Sequence, residues 1–524
     1  MKRVLISVSD KTGIIEMARD LTTRGFEIIS TGGTAKVLSD AGISAVSISD
    51  LTGFPEFLDG RVKTLHPKVH AGLLAVRGNA EHMRQLKELG IETIDMVIIN
   101  LYPFKQTILK GNIELEEAVD NIDIGGPAML RAAAGNYRDV VAIVDPGDYP
   151  KVLEEIDASG EVSIKTKFKL ACKVFEHTGS YDTIIAKYFR DKLGEEFFPD
   201  ALSLTYEKIQ EMRYGENPHQ RAVFYREPGA DIGCLTNARQ LHGKELSYNN
   251  INDANGALEL IKEFDEPTAI VFKDANPCGA ASGENIRDAY LKAFEADPVS
   301  AYGGIVALNR EVDAETAAEM NRVFYEVILA PSYSSEALSI LQDKKNVRLL
   351  QLENISARLP EGTYDIKKIT GGLLVQEYNN ELIDTDELKC ITDVKPDDGL
   401  MEDLIFAAKV VKHTRSNGIV LAKGKQTTGI GPGQTARVTA LKVAVGCGDG
   451  DKAAISYGDR DKITGSVMAS DGFLPFTDCV EIAHEAGIRA IIQPGGSIRD
   501  QESVDVCNKY GIAMVFTGMR HFKH

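Results

Sequence analysis

The sequence predicts an α/β protein. Three observations carry that expectation. Short β-branched runs alternate with stretches of helical spacing, the pattern of strands linked by helices. Hydrophobic residues make up 43% and charged residues 26% of the 524, ordinary globular usage that excludes fibrous, disordered and disulfide-stapled classes. No apolar run reaches membrane-spanning length. At roughly 150 residues per domain, the length predicts about three domains, each able to bury a core.

Residues 3–8 (RVLISV), 26–30 (FEIIS), 95–101 (DMVIINL) and 139–145 (DVVAIVD) read as strands, with helical spacing between them, as over 13–24. That alternation predicts a parallel sheet. A polar, acidic and aromatic stretch at 194–205 follows the helical segment 164–192 and marks the main boundary, giving a first domain over 1–195. Strand-like runs resume at 268–273, 304–308, 418–423, 488–492 and 511–516. Two halves echo one another faintly: a buried strand ending in lysine (Phe272-Lys273, Ala422-Lys423), a Gly/Asn/Pro-rich loop, then a helix. Two similar subdomains are therefore expected, 205–365 and 366–524.

Lys and Arg total 59 against 77 Asp and Glu, a formal charge of −18, which argues against nucleic acid or other polyanions bound by the whole surface. An anionic ligand needs a local site. The N-terminus MKRVLISVSDKTG enters strand-like sequence directly, without a signal-peptide core, so the expected compartment is the cytoplasm, with no membrane partner. The seven cysteines are spread without a CxxC pair and read as reduced thiols. His66 and His70 have the spacing of two ligands on one helix face, but Pro67 between them disfavours a helix and no metalloprotease Glu follows, so no metal is expected.

Ser30-Thr31-Gly32-Gly33-Thr34-Ala35 lies between a strand and a helix. Paired glycines let backbone amides approach an anion, Thr34 can cap the helix, and the helix start is electropositive. The motif reads equally as a phosphate cradle or as a tight strand-to-helix turn. A second polar loop, 7–13, follows the first strand on the same expected sheet edge, which favours the site, since α/β folds bind ligands there. The expectation is a nucleotide phosphate against the amides of Gly32 and Gly33.

Further motifs are Arg61-Val62-Lys63-Thr64-Leu65-His66-Pro67, Asn100-Leu101-Tyr102-Pro103-Phe104, Asp123-Ile124-Gly125-Gly126-Pro127, Arg213-Tyr214-Gly215-Glu216-Asn217-Pro218-His219-Gln220, Asn276-Pro277-Cys278-Gly279, Asp297-Pro298-Val299-Ser300, Ser416-Asn417, Gly431-Pro432-Gly433-Gln434 and the C-terminal 516–524. With these, the whole chain resembles the bifunctional purine-biosynthesis family that joins AICAR formyltransferase to IMP cyclohydrolase (AICAR is 5-aminoimidazole-4-carboxamide ribonucleotide).

The resemblance implies an N-terminal methylglyoxal-synthase-like domain that closes formyl-AICAR to IMP. It also implies two C-terminal cytidine-deaminase-like subdomains that pass a formyl group from 10-formyltetrahydrofolate to AICAR. Those subdomains would work without zinc, because the HxE and PCxxC signatures of zinc deaminases are absent. It implies a homodimer with transformylase sites at the subunit interface.

By the same resemblance, Lys63 polarises the formyl oxygen, Tyr102 and Asp123 handle protons, and Ser9, Asp10, Lys11, Thr31, Gly32, Gly33, Thr34, Arg61, Thr64 and Asn100 seat the nucleotide of the cyclisation site. Lys273, Asp274 and Asn417 occupy the catalytic positions of formyl transfer. Arg213 and Tyr214 hold the phosphate, and Gly303, Glu326 and Arg520 line the AICAR site. Arg437, Val438, Phe476, Glu481, Ser497 and Ile498 border the folate. Lys273 ends an apolar strand, where burial would depress its pKa.

The sequence departs from the family at two places. Asp274 stands where the family has histidine, and a carboxylate is normally an acceptor at neutral pH. Gly135 stands where the family has lysine, which predicts a slowed cyclohydrolase that Gly135→Lys accelerates. A monofunctional transformylase and a non-catalytic nucleotide-binding regulator are the competing readings.

Overall fold

Five apolar runs of the N-terminal region form a parallel sheet in the computed structural model, which describes residues 1–55, 58, 62–111, 113–194, 198–229, 232–381, 383–446 and 460–524. Strands β1 (Lys2–Val8), β2 (Phe26–Ser30), β3 (Val46–Ser47), β4 (Met96–Asn100) and β5 (Val141–Ile143) lie in the order β3-β2-β1-β4-β5, all parallel. The strands are apolar on both faces because helices cover both. Val4, Ile6, Ile28 and Ile98 share one core with Ile14, Met17 and Leu21. Leu5, Ile29, Val97 and Ile99 share another with Leu73, Met129, Ala133 and Val174. The register pairs Val8 with Asn100 and Ile6 with Ser30, so the loops leaving β1, β2 and β4 meet at one sheet edge. Strand β3, two residues long, carries too little pattern to be read from sequence.

The chain divides into two compact units, Met1–Tyr206 with Glu227–Gly229, and Glu207–Arg226 with Ala230–His524. The second begins with the hairpin β6 (Glu207–Met212) and β7 (Ala222–Arg226). Strands β8 (Arg239–His242), β9 (Thr268–Lys273), β10 (Asn276–Ser282), β11 (Ile305–Leu308), β12 (Val327–Ala330) and β13 (Arg348–Gln351) form a mixed sheet ordered β10-β9-β11-β12-β13-β8. After the hairpin β14 (Tyr364–Ile369) and β15 (Gly372–Glu377), six more strands repeat it: β16 (Lys389–Cys390), β17 (Ile419–Ala422), β18 (Thr427–Gly431), β19 (Val467–Ser470), β20 (Ala490–Gln493) and β21 (Ala513–Phe516), ordered β18-β17-β19-β20-β21-β16. Strand for strand, the order and the parallel or antiparallel sense agree. The faint sequence echo is thus a full internal repeat. Helices Tyr248–Ile261 and Asp398–Lys412 occupy matching places and share one core, in which Leu258 and Ile261 meet Phe406 and Val410.

Two local expectations are corrected. The Gly/Asn/Pro-rich loop after Lys273 is strand β10: Pro277 is accommodated because β10 is an edge strand with a register shift between Pro277 and Gly279. Pro67 does not prevent a helix but begins one, Pro67–Leu74, where its missing N–H costs nothing. His66 is that helix's N-cap, its Nδ1 accepting the Lys68 amide at 3.1 Å.

Candidate functional site

The loop after β1 is braced from β4. Asn100 Oδ1 accepts the amides of Ser9 and Asp10 at 2.6 and 2.8 Å, and its Nδ2 donates to the Asp10 carbonyl at 3.0 Å. The Thr12 hydroxyl and amide donate to Asp10 at 2.6 and 2.9 Å and hold its carboxyl below the usual range. The Lys11 ammonium donates to the Val8 carbonyl and, at 3.2 Å, to Thr34 Oγ1. Burial pushes its pKa down, against the pull of Asp10.

Thr34 is not a cap. The helix Gly32–Asp40 begins two residues earlier, with Thr31 as N-cap. Thr34 Oγ1 instead accepts the Val8 amide at 3.1 Å and donates to the Val8 carbonyl at 3.0 Å, and Thr31 Oγ1 pairs with Ser7 Oγ at 3.0 Å. The first helical bonds come from the amides of Thr34 and Ala35 to the Thr31 carbonyl. The amides of Gly32 and Gly33, both exposed, therefore remain at the electropositive helix start.

Lys63 and Thr64, adjacent in sequence, touch the first residues of two helices. Gly32 has φ +43°, and a Cβ there would lie 3.2 Å from Lys63 Nζ. Thr64 Oγ1 lies so close to Gly125, the first residue of helix Gly125–Gly135, that a Cβ would collide with it. Asp123 sits just before that helix and its Oδ1 accepts the Gly126 amide at 2.8 Å. Burial raises its carboxyl pKa, opposed by hydrogen bonds from the Gly126 and Tyr102 amides and by the charge of Lys63. The Tyr102 ring is half-exposed beside it. Arg61 lies outside the described residues.

Gly135 ends the same helix, exposed, with no atom within 4 Å of where its Cβ would stand. Ten residues separate it from Gly125, about 15 Å at the helical rise, farther than a lysine side chain extends.

In the second unit, Lys273 closes β9, half-buried, its Nζ donating to the Tyr302 carbonyl at 2.9 Å. The hairpin to β10 turns through Asp274 and Ala275 at φ +49° and +63°. Their amides donate to the two oxygens of Asp253 at 3.1 and 2.9 Å. Burial raises the Asp253 carboxyl pKa, against those two amides. Gly303 and Glu326 precede β11 and β12, so Lys273, Gly303 and Glu326 share one edge of the sheet. The repeat reproduces the turn. Lys423 Nζ donates to the Thr464 carbonyl at 3.0 Å, and the amides of Gly424 and Lys425, at φ +61° and +54°, donate to Asp403 at 2.8 and 2.7 Å.

The two halves touch beside Lys273. Asn276, its cross-strand partner, accepts the Arg415 amide at 3.1 Å. Two residues on, Asn417 donates to the carbonyls of Gln434 and Thr435 at 2.9 and 3.2 Å and accepts from Arg437 Nη2 at 2.7 Å. Arg437 is buried and paired with Asp471, which also accepts the Ser416 hydroxyl. The C-terminal tail closes over this group, His521 donating its amide to the Asp471 carbonyl at 3.1 Å. Arg520 is exposed over the Phe522 ring.

Phe476, half-exposed, carries the Arg499 guanidinium over its ring at 5.3 Å, beside Ser497 and the fully exposed Ile498. Gln493 ties their two loops, its Oε1 accepting the amides of Leu474 and Gly495 at 3.3 and 3.1 Å. Glu481 is on the exposed side of helix Asp478–Glu485, and Val438 is in the first turn of helix Arg437–Ala444. Arg213 and Tyr214 follow β6 at the end of the β6–β7 hairpin, the guanidinium over the ring at 5.5 Å.

Sequence reasoning missed Tyr181, whose hydroxyl accepts the Asp123 amide at 2.8 Å and whose pKa burial pushes up to about 12. It also missed Asp253 and Asp471. None lies in a recognisable motif, although the equal spacing of Asp253 to Lys273 and Asp403 to Lys423 was a readable signal for the first. The Cys278 thiol is pushed up to about 12 by burial, which suits an inert core thiol rather than a metal ligand.

Residues 13–128 match the family model described as MGS-like domain, and residues 133–446 the one described as AICARFT/IMPCHase bienzyme. The chain is 70% identical over 524 residues to the bifunctional purine biosynthesis protein PurH of Acetivibrio thermocellus, and 67% identical over 525 residues to that of Ruminiclostridium cellulolyticum, in both cases across 100% of each chain. The crystal structure of ForH aligns at 37% identity and a TM-score of 0.33, covering 36% of this chain and 98% of that one.

Proposed function

The chain belongs to the AICARFT/IMPCHase bienzyme family, and from that membership we propose how its residues divide the two reactions. Residues 205–365 and 366–524 transfer the formyl group of 10-formyltetrahydrofolate to AICAR, and residues 1–195 close formyl-AICAR to IMP. The observation that carries the bifunctional reading is that each unit holds its own lysine-centred group, Lys63 with Asp123 and Lys273 beside Asn276 and Arg415. A monofunctional transformylase would not need the first, and a regulator would need neither.

In formyl transfer the AICAR amine attacks the formyl carbon, and the oxyanion that forms needs a fixed donor. Lys273 supplies that donor and relays a proton, giving one to the departing folate nitrogen and regaining the one lost by the attacking amine, while Asn417 orients the substrate from the second half. Gly303, Glu326, Arg213, Tyr214 and Arg520 line the nucleotide side. Phe476, Ile498 and Ser497, with Arg437, Val438 and Glu481, border the pterin. Asp274, exposed at the turn, bears on the site through its charge and its backbone. In cyclisation, the amides of Gly32 and Gly33 with Lys11 seat the phosphate, Lys63 polarises the formyl oxygen, and Asp123 takes the proton of the attacking carboxamide and returns it as the former formyl oxygen leaves as water, with Tyr102 at the mouth. Ser9, Asp10, Thr31, Thr34, Thr64 and Asn100 shape the loops of this site.

No metal is needed for either step. We propose a homodimer with formyl transfer at the subunit interface, acting in the cytoplasm; among the described residues no helix is long and apolar enough to cross a membrane. Steady-state assays of the purified protein with AICAR plus 10-formyltetrahydrofolate, and separately with formyl-AICAR, test the reading. Turnover of both is expected; binding of IMP and folate without turnover of either would overturn it.

Two narrower outcomes follow from the geometry. Gly135→Lys should leave the cyclisation rate within about threefold, since the Cα of residue 135 stands about 15 Å from Gly125 along the helix; a tenfold acceleration would return the position to the site. Asp253→Asn replaces one of two acceptors at the Lys273 turn, so kcat for formyl transfer should fall about tenfold with KM little changed, since small displacements of a catalytic group are costly. Asp403→Asn, at the twin turn, should leave kcat unaltered. Equal losses in the two variants would mean that the carboxylates serve stability alone.

A further inference from the structure

The internal repeat contains one substitution beside a cleft. In the first half, Arg348 pairs across the β12–β13 register with Val327, and its side chain is largely buried. Its guanidinium binds the Glu326 carboxylate, and its Nε donates to the Glu245 carbonyl at 3.2 Å. The corresponding position of the second half is Ala513, paired with Ala490 across β20–β21. The correspondence is fixed by the backbone. Glu326 donates to the Gly304 carbonyl and accepts from Arg348, as Arg489 donates to the Ser466 carbonyl and accepts from Ala513. Glu326 therefore corresponds to Arg489. Glu245 and Lys395 correspond likewise, each two residues before the N-cap of its half's long helix, Ser247 and Asp397.

Where the first half has one cation and two acidic residues, the second has alanine and two cations. At the end of the sheet where the second half has Ala513 in place of Arg348 lies a cleft of about 300 Å³, whose lining includes Lys395, Asp397, His484, Arg489, Tyr510 and Ala513. Asp397, the one acidic lining residue, is engaged at the helix start, its Oδ1 accepting the Leu400 amide at 2.8 Å. The side chains of Arg489 and Lys395 have no ion-pair partner among the described residues. One wall is flat, the rings of His484 and Tyr510 stacked at 3.9 Å and 5°. Arg489 and Lys395 are exposed residues of one cleft lining, and a guanidinium fork with an ammonium on the same cleft matches phosphate oxygens.

We propose that this cleft binds a phosphate group, free or as a phosphomonoester, at a site separate from both proposed reaction centres. Equilibrium dialysis of the full chain with labelled inorganic phosphate tests it. Bound phosphate per chain should fall by one in Arg489→Gln, with dissociation at this site weakened at least about tenfold and both activities within about twofold of the unsubstituted protein. The paired change Ala513→Arg with Arg489→Glu rebuilds the ion pair of the first half inside the cleft and should remove the same site. Competition with ribose 5-phosphate distinguishes the sources: displacement at lower concentration than unlabelled phosphate assigns an ester, equal or weaker displacement assigns the free ion. An unchanged phosphate count in Arg489→Gln, or no phosphate lost in the paired variant, would overturn the proposal.

Discussion

Lys273→Ala is expected to lower kcat for formyl transfer by at least about a thousandfold, because in the proposed role the lysine is an oxyanion donor and a proton source together, each typically contributing a hundredfold or more. Nucleotide affinity should stay within about tenfold, since the role proposed for the lysine is in the transition state, with the phosphate on other residues. Two controls come with the molecule. Cyclisation, proposed for the other unit, should be unaltered. Lys423→Ala removes the twin ammonium, which makes the matching bond to the Thr464 carbonyl, and should leave formyl transfer intact. A general weakening of the hairpin turns would affect both variants, whereas catalysis affects one. Should Lys273→Ala keep a tenth of its turnover, the assignment of the lysine fails.

The readable parts of this chain are those where pattern and packing coincide. The runs ending at Val8, Ser30 and Lys273 are continuous apolar segments buried on both faces, and their extent follows from composition. NPCGAAS was not readable as a strand, because its small residues and proline suit an edge strand packed closely under a helix, where a Cβ at Gly279 would collide with the Ala293 carbonyl. Burial and register decide such a segment, and local propensity misleads. The site was legible where residues lie in one motif, as in Lys63-Thr64 and Gly32-Gly33. It was opaque where the partner comes from a distant helix, as Tyr181 does for Asp123. Sequence proximity conceals distance in the same way between Gly125 and Gly135, which the helix between them sets about 15 Å apart.

Lys63→Ala should slow cyclisation by about a hundredfold to a ten-thousandfold and change its pH dependence in a direction the structure fixes. Asp123 must be ionised to accept a proton. Burial raises its pKa, while the two amides and the positive charge of Lys63 pull it back. Removing Lys63 deletes part of that pull, so the pKa rises further and the acid limb of the pH–rate profile moves to higher pH. A limb that stays in place or moves down would show that Asp123 does not carry the proton. Asp123→Asn separates rate from stability. A carboxyl whose pKa is raised by folding releases its proton in the unfolded chain first, so its contribution to stability falls as pH climbs from the ordinary carboxylate range through the folded-state value. The asparagine has no such loss. Asp123→Asn should therefore be at least as stable as the unsubstituted protein at neutral pH, by its thermal midpoint, while cyclisation collapses and its acid limb disappears.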